Sequence, residues 1–278
     1  VMSLKTAGKS TPLPAEMTTE ILDAHIKRTL SHVAASVQDW IDMRERVLVL
    51  AEQFTGATSG LSKAEASETR DLLLWLAGNH FVFLGLADYC VQGKTLALDT
   101  KTARGIYRLP GSDDRTIERA THATTSDILS VLKASEPSLV HRHAPMDLVV
   151  LKRFDAKGKF IGETRMLGLF TSTVYYRETQ NIPFIRRKAA RVLDRAGFDP
   201  HGHSGKTLKT ILEFLPRDEL FQMDEERLFQ TAMGIVSLDA KPQVKLFVRN
   251  DPFGRFVSSM VYIPRERFSS DMRLEIIR

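Results

Sequence analysis

Residues 203–207 read His-Ser-Gly-Lys-Thr, which resembles the end of a phosphate-binding loop. The complete motif needs another glycine five residues before Gly205, and Pro200 stands at that position. The segment also follows a predicted helix, whereas a phosphate-binding loop follows a strand. We therefore interpret these residues as the polar N-terminus of a helix and predict no phosphate site.

Two pairs of histidines have the spacing of potential metal ligands. His141 and His143 alternate within a predicted strand and would share one face, and His201 and His203 lie in a predicted loop. No cysteine, and no carboxylate at a fixed spacing, accompanies either pair. Cys90 lies in an apolar stretch that is typical of a half-buried core thiol. The sequence therefore predicts neither a metal site nor a nucleophilic cysteine.

The signatures of a catalytic or cofactor-binding centre are also absent from the sequence. No Gly-x-Gly-x-x-Gly follows a predicted strand, so a dinucleotide-binding fold is not indicated. No Ser-His-Asp set and no glycine-flanked nucleophile is present. We therefore predict no catalytic, cofactor-binding or metal-binding residue in this chain.

Two surfaces are candidates for effector or interface contacts. The first is a basic helix face made of Arg186, Arg187, Lys188, Arg191 and Arg195. Its ordinary interpretation is a solvated or ion-paired face, and the alternative is the binding of a carboxylate by Arg186, Arg187 and Arg191. The second is the loop of residues 251–255, where an exposed Phe253 would lie between the charges of Asp251 and Arg255.

Composition limits the classes of protein to which the chain can belong. The 278 residues are 43% hydrophobic and contain no apolar run of transmembrane length, so a membrane-spanning helix is excluded. A single cysteine rules out an internal disulfide and fits a cytoplasmic location. The net charge of +5 is small against 39 basic and 34 acidic residues, and aromatic residues do not interleave with the basic cluster. Nucleic-acid binding is therefore the weakest of the alternatives.

The first part of the chain is predicted to be helical. Residues 18–54 form a helix in two pieces with a break at Asp39 and Trp40. One stripe of the first piece has helical spacing and is expected to be buried; its members are Ile21, Leu22, His25, Ile26, Leu30, Val33 and Val37. Ile41, Val47, Leu48 and Leu50 continue it in the second piece. Residues 56–60 form a linker, and a further helix over residues 61–76 begins at Ser62 or Ser67 and ends at residues 77–79.

The middle of the chain is predicted to be an antiparallel block. Strands are expected at residues 80–86, 95–98, 139–143, 148–154 and 159–170, with a polar loop at 111–115 and a short helix at 126–132. Residues 155–158 form a hairpin turn that ends in Gly158. This order resembles a PAS-type sensor domain in shape.

The last third is predicted to contain two connecting helices and then a partial ferredoxin-like unit. The helices run from about residue 182 to Gly197 and over residues 208–215. A strand at 219–223, a helix capped by Asp224, strands at 244–249 and 256–263, and a helix capped by Ser269 or Ser270 give the order βαββα. A fourth strand would cover residues 219–223, so we expect an exposed edge there.

These elements place the chain in the α+β class with four regions. Residues 1–60 form a tail and a helical segment, and residues 61–178 form the PAS-like antiparallel α/β block. Residues 179–216 form a helical connector, and residues 217–278 form the truncated ferredoxin-like (ACT-like) βαββα unit.

Several stretches resemble the large bacterial NAD-dependent glutamate dehydrogenases. They are residues 72–85 (LLLWLAGNHFVFLG), 150–155, 167–172, 182–188, 216–222 (PRDELFQ), 246–258 (LFVRNDPFGRFVS) and 261–268, in the same order as in that family. The matches cover roughly residues 69–278, whereas the first sixty residues match loosely. Leu86, Ala87 and Asp88 depart from the family's usual Tyr-Arg-Glu-like continuation, so the response to a ligand is expected to differ if those groups line a pocket in relatives.

The resemblance implies an enzyme that oxidatively deaminates L-glutamate to 2-oxoglutarate with NAD as the hydride acceptor. The catalytic lysine and the Rossmann segment of the family are expected downstream of Arg278, so this chain would be a non-catalytic N-terminal regulatory and assembly segment without a cofactor of its own. Its implied partners are the remainder of the same polypeptide, further copies in a homo-oligomer and an amino-acid effector. The alternative is a purely structural oligomerisation module that binds no small molecule.

Overall fold

The computed structural model describes residues 18–55, 61–111, 128–251, 254, 256–269 and 271. The chain divides into two compact units, Val1–Tyr176 and Arg177–Arg278. The predicted tail, the linker at residues 56–60 and most of the predicted polar loop after Gly111 lie outside the described residues. The predicted C-terminal helix does as well, apart from Asp271.

The first unit begins with three helices, α1 (Thr19–Gln38), α2 (Trp40–Glu52) and α3 (Lys63–Trp75). The predicted break between α1 and α2 is confirmed at Asp39, whose carboxylate accepts a hydrogen bond from the backbone N–H of Gly105 at 2.7 Å. α3 begins with the predicted cap: Ser62 and Glu65 form a reciprocal capping box. Asn79, at φ 69°, lies in the turn that ends this helical segment, as predicted.

The predicted burial of the apolar stripe on α1 is wrong. Ile21, Ile26, Leu30, Val33 and Val37 keep between 37% and 69% of their surface exposed. The face of α1 that packs on the sheet instead carries the small residues Ala35 and Ser36, and the Ser36 hydroxyl donates to the carbonyl of Leu84 at 3.2 Å. Small side chains let the helix approach the strand closely, so the larger apolar residues point away from the unit. On α2 the expectation holds for Val47 and Leu50, whereas Ile41 is 62% exposed.

An antiparallel sheet forms the centre of this unit. Its strands are β1 (Phe81–Gln92), β2 (Thr95–Leu98), β3 (Arg104–Gly105), β4 (Leu129–Pro137), β5 (Pro145–Phe154) and β6 (Phe160–Phe170), and a short helix α4 (Ser172–Tyr176) follows. The spatial order is β2-β1-β6-β5-β4, with the two-residue β3 paired to β1 opposite Gly85. The strands predicted near residues 80–86, 95–98, 148–154 and 159–170 are confirmed. Gly158, at φ 76°, confirms the hairpin turn between β5 and β6.

Two predictions for the middle block are wrong. The helix predicted at residues 126–132 overlaps β4, because Leu129 and Val131 pair with Leu151 and Val149 of β5 and are buried there. The strand predicted at residues 139–143 is a loop, and His141 adopts a φ of 67° that a strand does not contain. Pairing with β5 decides the conformation of β4, whereas the loop is closed by the hydrogen bond from the Ser138 N–H to the carbonyl of Ala144 at 2.8 Å.

The second unit consists of helices followed by a two-stranded hairpin. The helices are α5 (Ile185–Ala196), α6 (His203–Phe214), α7 (Arg217–Gln222) and α8 (Glu225–Ala240), and β7 (Lys245–Asn250) pairs antiparallel with β8 (Val257–Tyr262). Asp224 caps α8 as predicted, since its carboxylate accepts from the backbone N–H of Arg227 at 2.7 Å.

The predicted strand at residues 219–223 is wrong, and with it the predicted βαββα order and the exposed edge of that strand. These residues lie in and just after α7, which begins directly after Pro216. The ammonium group of Lys188 donates to the carbonyl oxygens of Phe221 and Met223, at 3.1 and 2.8 Å. A cation at the C-terminal end of a helix satisfies carbonyl groups that have no helical partner, and it stabilises this helical turn.

Candidate functional site

The predicted basic face of α5 lies against the N-terminus of α8. The Arg191 guanidinium contacts the Glu225 carboxylate at 2.8 Å, and Arg195 contacts Glu226 at 2.5 Å. The hydrogen bond from Arg195 lowers the pKa of the Glu226 carboxyl and raises the pKa of Arg195 itself. Here α5 supplies the cations and the acidic first turn of α8 supplies the anions. The arrangement fits the ion-paired interpretation of this face for Arg191 and Arg195.

Arg186 and Arg187, the other predicted carboxylate contacts, are half-buried on α5 and make further contacts within the chain. The predicted loop site is described only in part. Asp251 is 3% exposed, and its backbone closes the turn through hydrogen bonds with Phe256 and Gly254 at 3.0 and 2.9 Å. Phe253 and Arg255 lie outside the described residues. All six predicted contacts therefore stay predictions.

A buried ion pair connects α7 to the hairpin in the same unit. The Arg249 guanidinium donates through Nε and Nη2 to both carboxylate oxygens of Glu219, at 2.7 and 2.8 Å, and the two residues are 7% and 6% exposed. Ser258 on β8 donates to the same carboxylate at 2.6 Å, and Gln222 accepts from Arg249 at 3.1 Å. We call Glu219, Arg249, Ser258 and Gln222 the hairpin latch. Two parallel hydrogen bonds make this the strongest geometry available to an arginine and a carboxylate.

The pKa values of Glu219 and Arg249 in the hairpin latch both shift in the direction that favours the charged form. Burial raises the pKa of the Glu219 carboxyl, but hydrogen bonds from Arg249 and Ser258 and the charge of Arg249 lower it by more, so its pKa lies below the usual value. The hydrogen bond with Glu219 raises the pKa of Arg249 despite burial. Both groups are therefore charged at neutral pH. Sequence reasoning missed the pair, although both partners lie in stretches that carry the family resemblance.

Buried charges also lie on the sheet of the first unit. One oxygen of the Asp88 carboxylate accepts from the Thr164 hydroxyl at 2.7 Å. The other contacts Arg46 of α2 at 2.6 Å and Arg153 of β5 at 3.0 Å. Asp88 is one of the residues at which the sequence departs from the family pattern, and here one carboxylate serves two guanidinium groups.

A second buried pair consists of Glu163 and Arg165, neighbours on one face of β6. The Arg165 Nε lies 3.0 Å from the Glu163 carboxylate, and the two side chains are 1% and 0% exposed. The Arg165 guanidinium also lies over the ring of Tyr89, 4.0 Å from its centroid. Such a cation–π contact partly compensates for the loss of water around the guanidinium.

The predicted helix N-terminus at residues 203–207 and the histidine pairs were the other candidates from the sequence. Residues 203–207 begin α6 after Gly202, which confirms the interpretation as a helix N-terminus. The His203 imidazole contacts Asp239 at 2.7 Å on the surface. Within the described ranges no group of three or more histidine, cysteine and acidic residues could hold a metal ion. The helices of the described segments include none with both the length and the apolar character that a membrane crossing requires.

Two families match the second unit. The family described as glutamate dehydrogenase, helical motif 1, matches residues 182–241, and the family described as glutamate dehydrogenase, ACT2 domain, matches residues 245–278. The hairpin latch therefore joins Glu219, inside the first match, to Arg249 and Ser258, inside the second.

Nearly the whole chain is similar to curated proteins named NAD-specific glutamate dehydrogenase. It is 39% identical to that of Pseudomonas aeruginosa over 265 residues, which are 92% of this chain and 16% of the relative. It is 35% identical to that of Halomonas elongata over 275 residues, which are 95% of this chain and 17% of the relative. It is 28% identical to that of Mycobacterium tuberculosis over 257 residues, which are 91% of this chain and 15% of the relative. The chain thus spans about a sixth of the length of the curated relatives that it matches.

Proposed function

Because this chain belongs to the family of NAD-specific glutamate dehydrogenases, we propose that it is a non-catalytic regulatory and assembly segment of such an enzyme. The observation that carries the proposal is the match of nearly the whole chain to a stretch of 15–17% of each relative. The parent enzyme would oxidise L-glutamate to 2-oxoglutarate with NAD. The residues that hold NAD and perform the reaction would belong to other parts of that enzyme. We propose a cytoplasmic location for the enzyme.

The two units would have different roles in regulation. The antiparallel sheet of the first unit, against which α1 and α2 pack, supports a PAS-like sensor block within residues 61–178. The ACT2 match supports an ACT-like unit whose described strands are β7 and β8. An amino acid is the proposed effector, and Arg186, Arg187, Arg191, Asp251, Phe253 and Arg255 remain the proposed contacts. The helical motif would transmit the response, because the hairpin latch ties α7 to both strands.

Activity measurements test the non-catalytic role. The full-length enzyme is expected to reduce NAD in the presence of L-glutamate, and the 278-residue chain alone is expected to show no glutamate-dependent NADH formation. Addition of the chain to the full-length enzyme serves as a control for inhibitors in the preparation. Glutamate-dependent turnover by the chain alone would overturn the proposal.

Thermal unfolding of the chain in the presence of individual amino acids tests the effector. A ligand at about a hundred times its dissociation constant stabilises the folded state by roughly 2.7 kcal/mol. We expect one or a few amino acids to raise the midpoint by about 5–10 °C, since 1 kcal/mol shifts the midpoint of a domain near this size by about 2–4 °C. An unfolding midpoint that no amino acid changes would favour the purely structural alternative. A shift with oligonucleotides that disappears in salt would favour the nucleic-acid alternative instead.

The assembly role is supported by the exposed stripe of α1. Ile26, Leu30, Val33 and Val37 follow one another at intervals of four, three and four residues, the spacing of a seam between paired helices, and Trp40 stands three residues later at the start of α2. All five are exposed, and none carries a charge. An uncharged seam of this kind is complementary to itself, and homo-oligomers most often use self-complementary surfaces. We therefore propose that the α1 stripe pairs with that of a second copy.

Charge introduced into the α1 stripe is expected to dissociate the oligomer. Leu30→Glu places like charges on both copies inside an apolar contact, so the mass measured by light scattering should fall to that of a single chain. Val49→Glu is the control, because Val49 is 57% exposed on α2 outside the repeat and its change should leave the mass unaltered. An unchanged mass for Leu30→Glu would rule out pairing through this stripe.

A further inference from the structure

An open cleft of about 450 Å³ lies in the first unit between the end of α2 and the β5–β6 hairpin. Its volume falls within the range of roughly 300–1,000 Å³ that is typical of small-molecule sites. The cleft is lined by Leu50, Gln53, Phe54, Ile128, Leu151, Lys152, Arg153, Phe154, Asp155, Ala156 and Ile161. The lining combines apolar residues with three charged ones, Lys152, Arg153 and Asp155.

The floor of the cleft is apolar and firmly packed. Leu50 and Phe54 come from α2 and the residues after it, and Leu151 comes from β5; all three are buried. Ile128 and Ile161 are half-buried at its sides. Phe154 also lines the cleft and is 42% exposed, so a ligand with an apolar body would cover its hydrophobic surface and could contact its ring.

Arg153 gives the cleft a positive charge that the protein neutralises only in part. Its Nη1 lies 3.0 Å from Asp88, and a third of its side chain is exposed. Asp88 is already paired with Arg46 at 2.6 Å, so two guanidinium groups share a single carboxylate. A guanidinium carries five N–H donors in a fixed fork, which matches a carboxylate through two parallel hydrogen bonds. The cluster of Asp88, Arg46 and Arg153 therefore favours an additional anion on the cleft side of Arg153.

The remaining charged groups of the cleft are consistent with this polarity. Lys152 is a second cation, with contacts of its own. Asp155 is the acidic residue among the lining residues, and its Oδ1 accepts from the backbone N–H groups of Lys157 and Lys159, both at 2.9 Å. The Oδ1 atom of Asp155 is thus engaged in the hairpin turn. The negative charge of the carboxylate can still attract the ammonium group of an amino acid.

We propose that this cleft binds a small carboxylate with an apolar body, of the class formed by apolar α-amino acids and their 2-oxo acids. The carboxylate lies on Arg153, and the apolar body lies against the exposed ring of Phe154, above the buried floor. When the ligand is an amino acid, its ammonium group faces Asp155. The cleft belongs to the first unit alone, so the proposal does not rest on the regulatory role of the second unit.

Calorimetric titration of the 278-residue chain with L-phenylalanine, phenylpyruvate and phenylalaninamide tests the carboxylate. The first two are expected to bind, and the amide, which lacks the anionic group, is expected to bind at least about tenfold more weakly, as for a lost hydrogen bond to a charged group. Tighter binding of L-phenylalanine that Asp155→Asn abolishes assigns the ammonium contact. Equal binding of the amino acid and the 2-oxo acid still supports the carboxylate contact. Equal binding of the amide overturns the proposal.

Two arginine variants separate binding from stability. Arg153→Met is expected to weaken L-phenylalanine binding by about tenfold or more. Arg46→Met lowers the melting temperature and leaves Asp88 to neutralise Arg153, so binding should weaken, but by less than in Arg153→Met because Arg46 does not line the cleft. Ala156→Phe fills the cleft from the exposed hairpin turn and should abolish binding without unfolding the chain. Unchanged affinity in both Arg153→Met and Ala156→Phe would refute the site.

Discussion

Glu219→Gln is expected to lower the free energy of unfolding of the second unit by about 3–5 kcal/mol. The amide keeps the shape of the carboxylate but leaves the guanidinium of Arg249, which is 7% exposed, without its anion. The two N–H groups of Arg249 and the hydroxyl of Ser258 then all lose a charged acceptor, and one carboxylate oxygen is replaced by an NH2 group that cannot accept. A buried charge without a partner is far more costly than a missing neutral contact, so this single atom exchange should rank among the most destabilising in the chain.

Denaturant unfolding followed by circular dichroism, together with hydrogen exchange in α7, β7 and β8, measures the effect. Arg191→Gln is the matched control, since it breaks the exposed pair with Glu225 in the same unit and should change the free energy by less than about 1 kcal/mol. Glu219→Gln with Arg249→Met should recover part of the loss, because the double variant removes both buried charges. A cost for Glu219→Gln no larger than that of the control would contradict the importance of the hairpin latch.

The same pair predicts a pH dependence. The pKa of Glu219 is lower in the folded chain than in the unfolded one, so the folded state binds its proton less readily. The stabilisation is therefore fully present above the unfolded value of about 4.3 and is lost as the pH falls through the folded pKa. The difference in unfolding free energy between the native chain and Glu219→Gln should be constant near neutral pH and shrink in acid. A constant difference down to the acid limit of folding would argue against ionisation of Glu219.

The hairpin latch connects the stretches of the chain that the two families match. Glu219 lies in the helical motif, whereas Arg249 and Ser258 lie in the ACT2 match. A shift of the hairpin relative to α7 would separate charges that have little access to water, which makes intermediate positions costly and favours discrete arrangements. Under the regulatory role proposed above, a variant of this pair in the full-length enzyme should alter the response to the proposed effector before it alters turnover without it.

Local signals in the sequence predicted the elements that depend on local chemistry. Ser62 is one of the two caps predicted for α3 and forms a capping box with Glu65 in the structure, and Asp224 caps α8 as predicted. The run of apolar and aromatic residues over positions 80–86 predicted a strand, and β1 begins at Phe81 and is buried along most of its length. In each case the chemistry that decides the conformation lies within a few residues of the element.

Tertiary contacts decided the elements that were predicted wrongly. Leu220, Phe221 and Met223 form a short apolar run, and such a run is ambiguous between strand and helix until its partners are known. Here the partner is Lys188, which caps the carbonyl groups at the end of α7. On α1 the predicted helix is correct, but the predicted burial of its apolar stripe is wrong. The spacing of apolar residues shows that one face of a helix is apolar, but it does not show which surface covers that face. The Glu219–Arg249 pair spans thirty positions, so no local pattern could reveal it.

Gly105→Ala is expected to destabilise the first unit by about 3 kcal/mol or more, the combined cost of backbone strain and overpacking. Gly105 has φ 61° and ψ −136°, and a Cβ atom there would lie 2.1 Å from the carbonyl oxygen of Leu84. The strand β3 could then no longer approach β1, and the hydrogen bond from Gly105 to Asp39 would be strained as well. A backbone oxygen cannot move aside as the end of a flexible side chain can, so little of this cost can be relieved.

Gly93→Ala is the matched comparison for Gly105→Ala. Its φ is 62°, but no atom lies within 4 Å of an added Cβ, so only the conformational preference is lost, at about 1–2 kcal/mol. Denaturant unfolding followed by the fluorescence of Trp40 and Trp75, both in the first unit, compares the two variants. A larger loss at Gly105 would show that contact between β3 and β1, and not positive φ alone, requires glycine there. Equal losses would mean that β3 can withdraw from β1 at little cost, and the anchoring of Asp39 by Gly105 would then contribute little to the break between α1 and α2.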